Sequence, residues 1–203
     1  MKRKLLLLSV MVICIAIAAA GTLAFFNGDA TAHNVITTGK VAIKVDEYAK
    51  YDADKTVKRV KYQNEQTGIM PGTTVNKIVV VSGEDGTADA WVRVKFVTKV
   101  TAADGTELNA DKIQLTTGTE WKYQDGWFYY NAPVKANQEA APALLSVEFD
   151  ADMDNTYQGA TATVDVLAQA VQCANNGDTW DKVNPDSWPA DTTKGGVDGT
   201  TTG

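Results

Sequence analysis

Histidine is almost missing: the 203 residues hold one, His33. A zinc peptidase of the His-Glu-x-x-His type needs two on one helix face, so that chemistry has no ligand set here. Cysteine is scarce as well. Cys14 lies in the apolar N-terminal run, which leaves Cys173 alone in the rest of the chain. That remainder cannot close an internal disulfide, and it must be held by its core or by assembly. Cys173 reads as a small apolar side chain, with pairing between molecules as the alternative. Cysteine catalysis needs a thiolate with a base, and the single His33, polar and near the chain start, reads as solvated. Positive charge is also short. Lys2, Arg3 and Lys4 are the only charges of residues 1–24, and taking those three from the 19 basic residues leaves 16 against 25 acidic, a balance of −9. Such a surface repels phosphate backbones and anionic headgroups, so nucleic acid is not an expected partner. Finally, no ten-residue stretch keeps a 3.6-residue apolar period, so the body is not expected to be helical.

What is present starts with Lys2-Arg3-Lys4 and an apolar run from Leu5 through Ile17 that ends in Ala18, Ala19, Ala20 and Gly21. A basic start, an apolar stretch and small residues near a cut site make a signal peptide. Residues 1–24 are read as that peptide. Cleavage after Ala24 puts Thr22 and Ala24 at the two positions that must be small and makes Phe25 the first mature residue. An uncleaved anchor is the competing reading, because Leu5 to Phe26 is free of charge and long enough for about 30 Å of hydrocarbon. Both readings put the domain outside, with membrane contact only through the uncleaved segment. The decay of the run into Ala and Gly, with no stop-transfer charges, favours cleavage.

The body alternates. Val41, Ile43 and Val45 alternate with Lys40, Lys44 and Asp46; Ala90, Val92, Val94 and Phe96 with Trp91, Arg93 and Lys95; Leu145, Val147 and Phe149 with Ser146 and Glu148; Ala162, Val164, Val166 and Ala168 with Thr163, Asp165 and Gln169. Period two with β-branched residues predicts strands with one buried and one wet face. Lys77 to Val81 reads as a central strand, apolar on both faces. Asp125-Gly126, between Trp121-Lys122-Tyr123 and Trp127-Phe128-Tyr129-Tyr130, predicts a tight hairpin, since both residues tolerate positive φ. The expectation is an all-β, jelly-roll-like antiparallel sandwich over residues 41–173. A mature N-terminal segment, 25–40, precedes it, and a flexible polar tail, 174–203, follows it.

Three stretches carry a resemblance. The first is Gly21-Thr-Leu-Ala-Phe-Phe-Asn-Gly-Asp-Ala-Thr-Ala-His-Asn with Gly39-Lys40-Val41-Ala42-Ile43. The second is Met70-Pro71-Gly72 with Lys77-Ile78-Val79-Val80 and Ala88-Asp89-Ala90-Trp91-Val92-Arg93-Val94. The third is Asn155-Thr-Tyr-Gln-Gly-Ala-Thr-Ala-Thr-Val164, running on to Gln172. Together they resemble the TasA and camelysin family. The resemblance implies export from a Gram-positive cell, processing by a dedicated signal peptidase, a jelly-roll-like sandwich and, as in TasA, self-association into matrix fibres by strand addition. Phe25, Phe26, Val35 and Ile36 would then form an assembly segment, an extended apolar stretch suited to a neighbour's open sheet edge. The alternative is that the segment is the first strand of its own sheet. For Val41 to Val45 the two readings are equally good; for Phe25 to Ile36 the intermolecular one is favoured.

The expected protein is therefore a secreted or cell-surface structural protein, non-enzymatic and without a cofactor. A glycan or surface-ligand module is the alternative, because the aromatic hairpin must turn some of its rings outward. A camelysin-like metalloprotease is the weakest reading. Asp150, Asp152 and Asp154 offer oxygen ligands for calcium, but the calcium-loop pattern breaks at Asn155 and Thr161, and a solvated acidic turn is favoured. Processing gives the first test. Intact mass of exported protein should place the N-terminus at Phe25, and Ala24→Leu should block release by overfilling a small pocket. Met1 retained in fully exported material would establish the anchor instead.

Overall fold

The computed structural model describes residues 26–28, 33–38, 40–63 and 66–191. Their strands are β1 (Phe26–Gly28), β2 (His33–Thr38), β3 (Ile43–Lys50), β4 (Val60–Lys61), β5 (Gln66–Ile69), β6 (Thr74–Gly83), β7 (Ala90–Thr101), β8 (Glu107–Leu108), β9 (Ile113–Thr117), β10 (Trp121–Gln124), β11 (Trp127–Tyr130), β12 (Leu144–Phe149) and β13 (Thr161–Gln172). Among the described residues the only helices are three single 3-10 turns, at Asn155–Tyr157, Trp180–Lys182 and Pro185–Ser187.

The strands form two sheets. One runs β10-β11-β7-β13-β1-β5, with β2 also on β13 and β8 on β7; the other runs β4-β3-β6-β12-β9. The sheets face each other across one core. Val92, Val94, Phe96, Val166 and Ala168 enter it from the first sheet, and Val45, Val79, Val81, Leu144 and Val147 from the second. Leu144 apart, these are the positions that period-two alternation turns inward. Asp125 and Gly126 adopt φ of 51° and 81° and join Gln124 to Trp127, so the tight hairpin forms as the Asp-Gly pair predicts.

Three features depart from the alternation rule. First, Leu145 is 38% exposed while Leu144 is buried, because the pairing of β12 with β6 and β9 slips between Leu144 and Ser146. The bulge turns Leu145 out and leaves Val147 and Phe149 in. Second, the outer face of the first sheet is not wet: Trp91, Lys95, Leu167, Gln169 and Val171 are all buried there. Third, residues 174–191, expected as part of a polar tail, are packed on the domain. They fold over that outer face, with Val183 buried and Trp180 and Trp188 packed against it. The sequence reading failed here because a polar average hid two large anchors. Residues 192–203 lie outside the described residues, as do 1–25.

The run Lys77 to Val81 is central and buried, but it is not wholly apolar inside. Alternation carries Lys77 inward with Val79 and Val81, and Glu47 inward with Ile43 and Val45. The two charges meet: Lys77 Nζ lies 2.7 Å from a Glu47 carboxylate oxygen, and the residues are only 2% and 7% exposed. The Lys77 ammonium also sits 4.3 Å from the centre of the Tyr62 ring. Burial pulls the Lys77 amine below its ordinary value, and Glu47 opposes that pull. Burial, then Glu47, pushes the Tyr62 phenol up to about 12. A matched buried pair is tolerated, whereas a lone buried charge is not. Lys77→Met alone should therefore lower unfolding stability by about 3–5 kcal/mol, while Glu47→Leu with Lys77→Met should be neutral or stabilising by about 1–4 kcal/mol. Denaturant midpoints measure both, and a neutral single variant would mean that the pair is hydrated.

Candidate functional site

The N-terminal segment lies along one edge of β13. β1 runs parallel to its start, with Asn27 opposite Thr161 and Gly28 opposite Ala162. β2 runs parallel to its second half, from His33 opposite Val166 to Thr38 opposite Val171. β13 lies antiparallel to β7 on its other edge, so both of its hydrogen-bonding edges are used. On its other edge β1 pairs antiparallel with β5, where Phe26 is opposite Ile69. Among the described residues no strand pairs with the far side of β2, and Val35 on it is 39% exposed. An edge strand of this kind presents unpaired N–H and C=O groups that another strand can use.

The residues singled out from the sequence fall in different places. Thr22, Ala24 and Phe25 lie outside the described residues. Phe26 falls in β1, and Val35 and Ile36 in β2, so the assembly segment and the β13 edge come together within one chain. Asp150, Asp152 and Asp154 are engaged in local turn structure. An Asp150 carboxylate oxygen accepts a hydrogen bond from the Asp152 amide at 2.7 Å, and Asp150 also faces Lys112 at 3.6 Å. Asp154 caps the turn at Asn155–Tyr157 by accepting from the Thr156 amide, and hydrogen bonds from Thr156 hold its carboxyl below the ordinary value. Among the described residues no three His, Cys, Asp or Glu side chains gather as metal ligands would.

The aromatic hairpin splits by face. Trp121, Tyr123, Phe128 and Tyr130 turn into the sandwich, and the Tyr123 ring meets that of Phe128 at a tilt, with centres 5.0 Å apart. Trp127 and Tyr129 turn outward, as the alternation requires. They are roofed by the C-terminal residues: Tyr129 meets Trp180 at 5.3 Å and Trp188 at 5.7 Å. The outward rings of this hairpin therefore form a packed cluster under protein, not an open platform for a sugar.

Comparison of the chain with protein-family models, with curated proteins and with solved structures finds no match.

Cys173 packs beside Trp91 and Val171 at the end of β13. Burial, with a smaller contribution from Asp89, pushes its thiol up to about 11. The thiolate is the nucleophile, so raising the pKa lowers the reactive fraction. Alkylation of Cys173 in the folded protein at pH 8 should run about 100-fold slower than that of a free thiol, and it should speed up on unfolding. Mass spectrometry of timed samples reads this, and a rate equal to that of a free thiol would show that burial does not suppress the thiolate.

Proposed function

We propose that this is an exported, TasA-like structural protein with a jelly-roll-like sandwich, released by a dedicated signal peptidase and assembling in the extracellular or biofilm matrix by strand addition. The observation that carries the reading is the position of the N-terminal segment. It supplies the second neighbour of β13, in parallel, from the end of the chain that cleavage would free. The same ladder can be made by the segment of another copy, because strand pairing uses backbone groups that do not record which chain they come from. Vacating the edge leaves backbone groups unpaired, and a neighbour's segment restores them. Burial of Phe25 and Phe26 in a neighbour's groove would contribute roughly 1.5–3 kcal/mol each. That offsets part of the cost of immobilising a partner, about 4–15 kcal/mol. A head-to-tail contact of this type need not close into a ring and propagates as a fibre.

Deleting residues 25–36 should leave a folded monomer that no longer polymerises, while the mature chain forms fibres under negative-stain microscopy. Unfolding of the shortened chain would assign the segment wholly to its own sheet. A mature chain that stays monomeric at high concentration would overturn strand addition.

A further inference from the structure

The C-terminal residues lie on the outer face of the first sheet as a peptide lies on a receptor. Arg93, in the middle of β7, donates to the Gln169 side-chain oxygen from Nε at 2.9 Å and from Nη2 at 2.6 Å, and to the Tyr129 hydroxyl at 3.1 Å. Its guanidinium carbon lies over two indoles, 4.1 Å from the ring centre of Trp127 in the sheet and 4.5 Å from that of Trp188 in the C-terminal segment. Lys95, the next outward residue, pairs with Asp191 at 2.9 Å. The Gln169 amide donates to the Ala190 carbonyl at 3.3 Å, and the Trp91 indole donates to the Gly177 carbonyl at 3.2 Å.

We propose that this face is a docking site for the C-terminal segment of a second copy, so that residues 174–191 exchange between molecules. The segment adds no strand to either sheet among the described residues, so its departure breaks no ladder. β7, β11 and β13 keep their pairing to one another without it. It leaves β13 through Asn175 and Gly177, both at positive φ (65° and 95°), and the Gly177 conformation admits no side chain, since a Cβ there would lie 2.5 Å from the Lys182 carbonyl oxygen. A short irregular link of this kind is where an element swings away in a swap. One ion pair, Asp191 with Lys95, ties the segment to the face. Trp188 covers the Arg93 guanidinium beside that pair, so the last residues of the segment meet both cations of the face. A second copy's segment makes the same contacts as the chain's own, so exchange loses no interaction that the closed form makes. The contact uses the face of β13 and not its edge, and it stands whether or not the N-terminal segment adds strands.

The test uses the full mature chain and a fluorescent peptide of residues 174–191. Trp180→Ala with Trp188→Ala weakens the chain's own segment, so the peptide should bind this variant at least 10-fold more tightly than the unaltered chain, read by anisotropy. Adding Lys95→Glu should weaken that binding at least 10-fold. A folded variant that ignores the peptide, or takes a reversed-sequence peptide equally well, overturns the proposal. If the variant does not fold, hydrogen exchange on the unaltered chain decides. Residues 174–191 exchanging at least 100-fold faster than β7 and β13 supports a detachable segment, and exchange in one unit with β13 overturns it.

Discussion

Twelve consecutive residue pairs, from Thr161 opposite Thr101 to Gln172 opposite Ala90, tie β13 to β7. Both strands are buried on both faces over most of that length, and this double burial governs the rest of the molecule. On the inner side it is satisfied by Val, Ala and Phe. On the outer side it meets Arg93, Lys95 and Gln169, which do not belong in an apolar setting without partners. Register supplies the first partner: Gln169 stands directly opposite Arg93, so the guanidinium and the amide meet across the ladder. Trp127 and Trp188 then lie within cation–π distance of the guanidinium, which its weak hydration allows.

Much of this was legible in the residues. Alternation in Val92-Arg93-Val94-Lys95-Phe96 gave the correct register, and Asp125-Gly126 gave the hairpin. The buried ion pair was within reach too: Lys77 shares the parity of Val79 and Val81, and Glu47 that of Ile43 and Val45, so two inward charges of opposite sign were implied. The bulge at Leu145 was not legible, because it arises from pairing with two neighbours at once and not from any local residue preference.

The outer face of β7 and β13 was misread for a physical reason. A charged residue every second position normally signals water, since burying a charge is costly. Here the cover came from a segment whose Asp, Asn, Gly and Thr content looks disordered. The available signal was Trp180 and Trp188, because a chain with no core to bury seldom carries two indoles eight residues apart. The place of the N-terminal segment was legible in kind, as extended and β-prone. Its parallel register on β13 was not, because parallel partners distant in sequence share no turn that could set their alignment.

A strand has two edges and two faces, and β13 has a different neighbour at each. β7 takes one edge, and the N-terminal segment takes the other. The opposite sheet takes the inner face, and the C-terminal segment takes the outer one. Two of the four neighbours thus come from the ends of the chain. They act through different physics, backbone hydrogen bonds in the plane of the sheet and side-chain packing perpendicular to it. For that reason neither end competes with the other for β13. The outer face is built from residues of β7, β11 and β13 and not of β1 or β2. The fold therefore separates its two terminal contacts, and neither supplies a pair of the ladder between β7 and β13.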